Sequence, residues 1–297
     1  MSNNLKIASP WSQLAIFLAI LGGCYVLAGI VIIVLPGFHI KGPNSPGMLK
    51  LAQTLGSIIT FGLPAIFYAR MTFADRPLYY LGFRPSVNNS FYIVAVFLLL
   101  VSFPLEIGLG MLNKQVSLPH WAVQMEQEND RQVETLLQVK TPMDLYINLL
   151  VVAVIPAIFE EICFRGALQR ILIHALKNPW AGIVVTAILF SLLHFQLQGF
   201  LPRMFLGILL GAAYWYSGSL WTTILAHGFF NGVQVVLASQ YPKAINENPS
   251  VPWSLVGISL IIVVSLLVYM RRRSTITYAQ VYQPEGPGSD IRGSHGV

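Results

Sequence analysis

The sequence has few charged residues: Asp, Glu, Lys and Arg make up only 10% of its 297 residues, whereas an ordinary soluble domain carries about 25%. It also has only two cysteines, Cys24 and Cys163, and both lie among apolar neighbours. This pattern argues against a disulfide framework. Hydrophobic residues make up 55% of the chain. The composition therefore excludes a typical soluble domain and predicts a polytopic membrane protein.

The basic residues outnumber the acidic ones, which gives a net charge of +6 and a pI near 9.4. They are not gathered into one basic face, as a nucleic-acid-binding protein would require. They lie at the ends of apolar runs, where Lys and Arg act as topology signals. We therefore expect membrane lipids and no nucleic acid as partners.

Apolar runs of about 20 residues are long enough to cross the hydrocarbon core of a bilayer. The first run is longer than the core of a signal peptide, so we expect a retained helix. Spans five and six are short for a full crossing. The eight predicted spans are residues 14–35, 49–69, 91–112, 145–164, 181–195, 202–216, 220–239 and 253–270.

The basic residues also predict the orientation. Those that follow spans two, four and eight are Arg70, Arg76, Arg84, Arg170, Lys177, Arg271, Arg272 and Arg273. After an even number of spans the chain is back on the side of the amino terminus, so all of these residues lie on that side. Lys and Arg favour the cytoplasmic side. We therefore expect both termini to be cytoplasmic.

The predicted organisation is one membrane domain, residues 13–273, between a cytoplasmic amino terminus, residues 1–12, and a tail, residues 274–297. The tail is rich in Gly and Pro from Gln283 onward, and we expect it to be disordered. The segment 113–144 lies on the outer side. Its amphipathic part, residues 121–139, indicates either a surface helix or a solvated loop.

Three charged residues interrupt the apolar run that begins at Leu145 and forms span four: Glu160, Glu161 and Arg165. Ionisable groups in a membrane span are rare and mark functional sites. Glu161 and Arg165 are one helical turn apart with the acid first, which predicts an ion pair, although snorkelling at the end of the span explains the two equally well. Glu160 has no basic residue one turn further on. Its partner must come from another helix, which suits a general base.

Two of the six histidines, His194 and His227, lie within predicted spans. His227 and Asn231 share one face of span seven, and both side chains can donate hydrogen bonds to a developing oxyanion. Phe190 has the same spacing to His194 on span five, where its ring either walls a site or packs against core or lipid. Taken singly, each histidine is consistent with a packing residue. Together with Glu160 and Asn231, they predict one intramembrane site.

Three short patterns occur in order within residues 144–240: EExxxR, FxxxH and HxxxN. In a chain with many spans, they resemble the CAAX prenyl protease and bacteriocin-processing family of intramembrane proteases, called CPBP or Abi. The resemblance implies an all-α, eight-span enzyme that hydrolyses peptide bonds inside or at the edge of the bilayer. It assigns water activation to Glu160 and His194, oxyanion stabilisation to His227 and Asn231, and supporting roles to Glu161, Arg165 and Phe190.

The family has also been viewed as metal-dependent. Glu160, His194 and His227 are a set that can hold catalytic zinc, but the sequence has no HExxH pair that fixes two ligands on one helix. We therefore favour a mechanism without a cofactor and keep zinc as the alternative.

A non-enzymatic membrane immunity or scaffold protein is the rival class, because it can use the same polar cavity to bind a partner. A proton-coupled transporter is disfavoured, because the polar residues lie only in the second half of the chain. For an enzyme we expect a peptide or membrane-protein substrate, with or without a lipid. We expect the protein to be an integral, multi-pass protein of a bacterial plasma membrane.

Overall fold

The computed structural model describes residues 5–34, 45–241 and 250–282. Within these ranges the chain is helical, and its one β contact is an isolated bridge between Leu5 and Phe73. The predicted all-α class is confirmed. In chain order the helices are α1 (Pro10–Val34), α2 (Pro46–Thr72), α3 (Pro77–Leu81), α4 (Ser90–Asn113), α5 (His120–Leu137), α6 (Pro142–Leu176), α7 (Pro179–Leu192), α8 (Phe200–Ser217), α9 (Leu220–Gln240), α10 (Trp253–Arg273) and α11 (Tyr278–Tyr282).

Six of these helices are long and apolar enough to cross a membrane: α1, α2, α4, α6, α9 and α10. The predicted spans five and six correspond to α7 and α8, which do not meet both conditions. α7 is apolar but has only 14 residues. The total of eight spans and the cytoplasmic position of both termini therefore stay predictions.

Helix α6 carries span four and is longer than predicted, since it continues to Leu176 instead of ending at residue 164. The predicted end at residue 164 assumed that Arg165 and Arg170 lie at the edge of the membrane, in contact with water. Both are instead buried within the bundle, so neither terminates the helix. α6 contains two wide π-helical turns, Leu149–Val154 and Ile162–Gln169. Such turns are often found at functional sites, and here they flank the two glutamates.

One end of the bundle, which we call the basic end, is closed by hydrogen bonds between distant segments. The Lys6 amide donates to the Thr72 carbonyl at 2.8 Å, and the Leu220 amide donates to the Gly82 carbonyl at 2.8 Å. α11 packs at this end, where the Tyr282 and His174 rings stack with centroids 5.1 Å apart. The basic residues of the predicted cytoplasmic side lie here: Arg70, Arg76, Arg84, Arg170, Lys177, Arg271, Arg272 and Arg273.

The opposite end, which we call the His194 end, holds α5 and the turn between α7 and α8. The amphipathic segment forms a helix rather than a loop, and α5 buries Ala122, Glu126 and Leu136. The predicted tail needs a correction. Its first part is helical at α11 rather than disordered, because Val281 packs into the basic end with only 8% of its surface exposed. The rest of that tail, residues 283–297, lies outside the described residues.

Two buried hydrophobic clusters form the core. The first joins α1, α2, α6 and α7 and includes Phe164 and Phe190; the second joins α4, α8, α9 and α10 and includes Leu209 and Phe230. The polar residues of the predicted site lie on helices that belong to both clusters. The fold therefore surrounds them with apolar side chains, which makes each polar contact among them energetically important.

Candidate active site

The centre of the site is one carboxylate oxygen of Glu161. Arg165 Nη1 donates to Glu161 Oε1 at 2.7 Å, and both side chains are completely buried. The predicted ion pair is thus present inside the bundle rather than at an interface. His227 Nδ1, from α9, donates to the same oxygen at 2.9 Å. This second donor was not expected, because helical spacing identifies partners only within one helix.

The neighbouring Glu160 faces the other nitrogen of the same imidazole ring. Its Oε2 lies 3.9 Å from His227 Nε2, which is too far for a direct hydrogen bond. Glu160 is 7% exposed and His227 is 3% exposed. The two adjacent carboxylates therefore have different surroundings, and they face opposite nitrogens of one histidine. Glu161 thus has a second partner, His227, in addition to the predicted Arg165.

Arg165 connects the ion pair to α7 and α8. Its Nη2 donates to the Gly207 carbonyl at 3.2 Å, and its guanidinium lies 4.7 Å from the centre of the Phe190 ring. Phe190 is buried, so its ring faces the site and the core instead of lipid. Gly207 permits the close approach of α7 and α8, because an added Cβ would lie 2.9 Å from the Ala187 Cβ.

His194 lies in the turn after α7, not within a helix as predicted, because α7 ends at Leu192. The physical reason is the backbone of Phe195, which has a φ of 53° in the left-handed region. The half-buried His194 places Nδ1 2.8 Å from the Phe190 carbonyl. A carbonyl can only accept, so this contact assigns the proton to Nδ1 and leaves a lone pair on Nε2. The contact between the two residues of the FxxxH motif thus caps the end of α7 and sets the tautomer of His194.

Asn231 is one turn beyond His227 on α9 and is half-buried. Its side chain has no hydrogen bond with another described residue. The site therefore unites Glu160, Glu161, Arg165 and His227 through direct contacts. The Phe190 ring connects His194 to this group, with centroids 4.9 Å from the His194 ring and 6.2 Å from the His227 ring. No hydrogen bond or ion pair links His194 to Glu160 within the described ranges.

The turn that carries His194 is held by two residues that sequence reasoning missed. Asn113, at the end of α4, donates to the Leu197 carbonyl at 2.8 Å and accepts from the Leu201 amide at 2.8 Å. Glu126, on α5, accepts from the Gln198 amide at 3.0 Å through Oε1. Both partners are backbone groups far along the chain, so no local spacing could reveal them. The one available signal was a polar residue at the end of an apolar run.

The arrangement does not fit a zinc ion. In the part of the chain that the structure describes, no three His, Cys, Asp or Glu side chains are gathered as a metal site. Two ligands of one tetrahedral zinc, at bond lengths near 2.0–2.1 Å, lie roughly 3.3 Å apart. Glu160 Oε2 and His227 Nε2 are 3.9 Å apart, which is wider than this spacing.

Comparison with protein families identifies the segment that carries the motifs. The model for Type II CAAX prenyl endopeptidase Rce1-like proteins matches residues 142–233. This match agrees with the resemblance to the CPBP family. The matched segment begins at the first residue of α6 and ends within α9, so it contains EExxxR, FxxxH and HxxxN. The predicted resemblance is confirmed over these residues, which are less than half of the chain. No curated protein and no solved structure matched the chain.

Proposed function

We propose that this chain is an intramembrane endopeptidase that hydrolyses a peptide bond with a water activated by Glu160 and His194. The observation that carries the proposal is the position of His227 between two carboxylates, each facing a different ring nitrogen. This arrangement separates two tasks. Glu161 holds the ring, and Glu160 stays free for chemistry.

The groups that activate water have the required free atoms. Glu160 makes no direct hydrogen bond with another described residue, and the Nε2 of His194 keeps its lone pair because Nδ1 is engaged by the Phe190 carbonyl. A water between them gives up a proton to this pair as its oxygen attacks the carbonyl carbon of the peptide bond. The forming tetrahedral intermediate places a negative charge on the former carbonyl oxygen.

That charge needs hydrogen-bond donors, and α9 supplies two of them. His227 already uses its Nδ1 proton for Glu161, so it donates to the oxyanion through Nε2 only when the ring carries both protons. The Glu161 carboxylate stabilises this imidazolium, and Asn231 Nδ2 supplies the second donor. When the C–N bond breaks, the base returns its proton to the leaving nitrogen. The products are a carboxylic acid and an amine, and transfer of the acid proton to the amine gives a carboxylate and an ammonium group.

The proposal is tested with Glu160→Gln, measured on a membrane-proximal peptide by the purified protein in detergent. Loss of a general base lowers kcat by about 10² to 10⁴-fold. The matched control is Glu128→Gln on the exposed face of α5, which should cleave as the wild type does. Unchanged cleavage by Glu160→Gln would show that Glu160 is not the general base. If the wild type cleaves nothing while both variants keep protecting cells or binding a partner, the immunity or scaffold function replaces it.

The zinc peptidase alternative has its own test. Activity should survive a strong chelator, and elemental analysis should find no zinc in the active protein. Activity that is lost to the chelator and restored by zinc would establish the metal mechanism instead. We place the enzyme in a bacterial plasma membrane, and fractionation of expressing cells tests this location.

A further inference from the structure

A cavity of about 610 Å³ lies beside His194, between α1, α2 and α5. This volume is within the roughly 300–1,000 Å³ that ligand pockets occupy. Of the residues with catalytic or supporting roles, only His194 lines it. The cavity therefore leads to the proposed base without being part of the buried glutamate cluster.

The lining has a distinct chemistry. Four amide side chains face the cavity, Gln53, Asn129, Gln132 and Gln196. The remaining surface is apolar apart from the hydroxyls of Tyr25, Ser57 and Thr60 and the ring of His194. None of the described residues that line it is charged. An amide both donates and accepts hydrogen bonds, as the groups of a peptide backbone do. A charged side chain inside this lining would find no opposite charge and would lose its hydration.

The cavity is at the end of the bundle that is opposite the basic end. It is lined by the second half of α1, the first half of α2 and one side of α5. The basic end carries Arg70, Arg84, Arg271 and their neighbours, and such residues favour the cytoplasmic side. At the His194 end the charges of α5 and its flanking turns are mixed in sign. The cavity thus faces the outer side of the membrane.

We propose that this cavity binds an uncharged, extended peptide segment, presented at the non-cytoplasmic side of the membrane, and delivers its scissile bond to His194. The proposal rests on the proposed endopeptidase function and defines its substrate class. The amide side chains bind the backbone of the segment, and the apolar wall accepts neutral side chains. Recognition needs no attached lipid.

The side of the membrane is tested by cysteine labelling. Cys24→Ala and Cys163→Ala give a background without native thiols, and single cysteines are then placed by Asn129→Cys in the cavity and Arg272→Cys at the basic end. A membrane-impermeant maleimide added to intact cells should label the first variant. It should label the second only after the membrane is opened. The reverse pattern overturns the outward orientation.

The ligand class is tested by protection of the same cavity cysteine in the Glu160→Gln background, where bound peptide is not cleaved. The probes are capped hexapeptides of Ala, Val, Gln and Ser, analogues with two Lys residues, and farnesol. Uncharged peptides should slow the labelling of Asn129→Cys at least tenfold. Labelling of Glu128→Cys, on the solvent side of α5, should not change. Equal protection by the Lys analogues, protection by farnesol alone, or no protection by uncharged peptides overturns the proposal.

The two proposals fail in different ways. If uncharged peptides protect the cavity but the wild type never cleaves them, the binding site is supported and the endopeptidase function is contradicted. If the wild type cleaves peptides that give no protection, the endopeptidase function is supported and the cavity is not its substrate site.

Discussion

At the scale of single residues, the most constrained group is Glu161 rather than Glu160. One of its oxygens accepts from both Arg165 and His227, and its other oxygen is buried without a hydrogen-bond partner among the described residues. In the proposed mechanism the two residues have separate roles: Glu160 acts in the reaction, and Glu161 positions His227 and compensates the charge of Arg165.

Glu161→Gln should therefore impair both stability and cleavage. The substitution leaves the buried Arg165 guanidinium without its opposite charge, which costs about 3–5 kcal/mol, and it weakens the hold on His227. We expect a clear fall in Tm and a loss of kcat of two orders of magnitude or more.

Glu160→Gln provides the comparison for this prediction, since it should lose activity while its Tm stays near that of the wild type. Thermal unfolding in detergent and peptide cleavage measure the two effects. A Glu161→Gln variant with the Tm of the wild type would show that the buried ion pair contributes no stability.

The two nitrogens of His194 can be separated by substitution. The side-chain nitrogen of Asn occupies a place similar to Nδ1, so His194→Asn should keep the hydrogen bond to the Phe190 carbonyl and preserve the turn. It has no counterpart of Nε2, so cleavage should fall about 10² to 10⁴-fold while Tm changes little. Substantial activity in His194→Asn would remove His194 from the proposed base and leave Glu160 alone.

At the scale of helices, α2 and α6 contain wide π-helical turns. Side chains after such a turn point in directions that the angles of an ordinary α-helix do not predict. The π turn Ile58–Gly62 precedes Pro64 by two residues, and Leu149–Val154 precedes Pro156 in the same way. Proline has no amide hydrogen, so the carbonyl four residues earlier lacks its helical donor, and the turn before it widens. Pro104 inside α4 has no such turn before it, so a proline alone does not predict one. The third wide turn, Ile162–Gln169, has no such proline after it.

The turn between α7 and α8 depends on α4 through Asn113. Asn113→Ala removes two hydrogen bonds and leaves the Leu197 carbonyl and the Leu201 amide unpaired, at a cost of about 1–3 kcal/mol. Because this turn carries His194, we expect kcat to fall about tenfold with KM nearly unchanged. Amide hydrogen exchange across residues 195–201 should become faster.

Gln115→Ala is the matched control for this prediction, because Gln115 is exposed just beyond the end of the same helix. It should leave both kcat and amide exchange as in the wild type. If Asn113→Ala also leaves them unchanged, the hydrogen bonds of Asn113 do not position the turn.

At the scale of the whole molecule, hydropathy predicted the long helices because a membrane span needs only length and apolar composition. The motif spacing also indicated residues that do meet, such as Glu161 with Arg165. Hydropathy did not predict the features that depend on tertiary contacts, such as where α6 ends. Arg165 does not end α6, because Glu161 pairs with its charge inside the bundle. Helix α5 contacts the turn that carries His194 through Glu126. A sequence without an alignment carries no signal for such contacts between distant segments.

The two ends of the bundle also have different tasks, and the carboxyl terminus can test this division. α11 packs Val281 and Tyr282 into the basic end, far from the turn that carries His194. Removal of residues 274–297 exposes that surface and should cost about 1.5–3 kcal/mol for each well-buried side chain. For a chain of this size, such a loss lowers Tm by several degrees. Cleavage at a permissive temperature should keep the kcat/KM of the full-length protein.

A shorter truncation is the control, because removal of residues 283–297 alone leaves α11 in place and should preserve Tm. If the longer truncation lowers kcat/KM in the folded protein, the basic end contributes to the site and the division is wrong. If the two truncations have equal Tm, the packing of α11 adds nothing to stability. Only a lower Tm with unchanged kcat/KM agrees with a bundle whose basic end serves stability and whose His194 end serves substrate and chemistry.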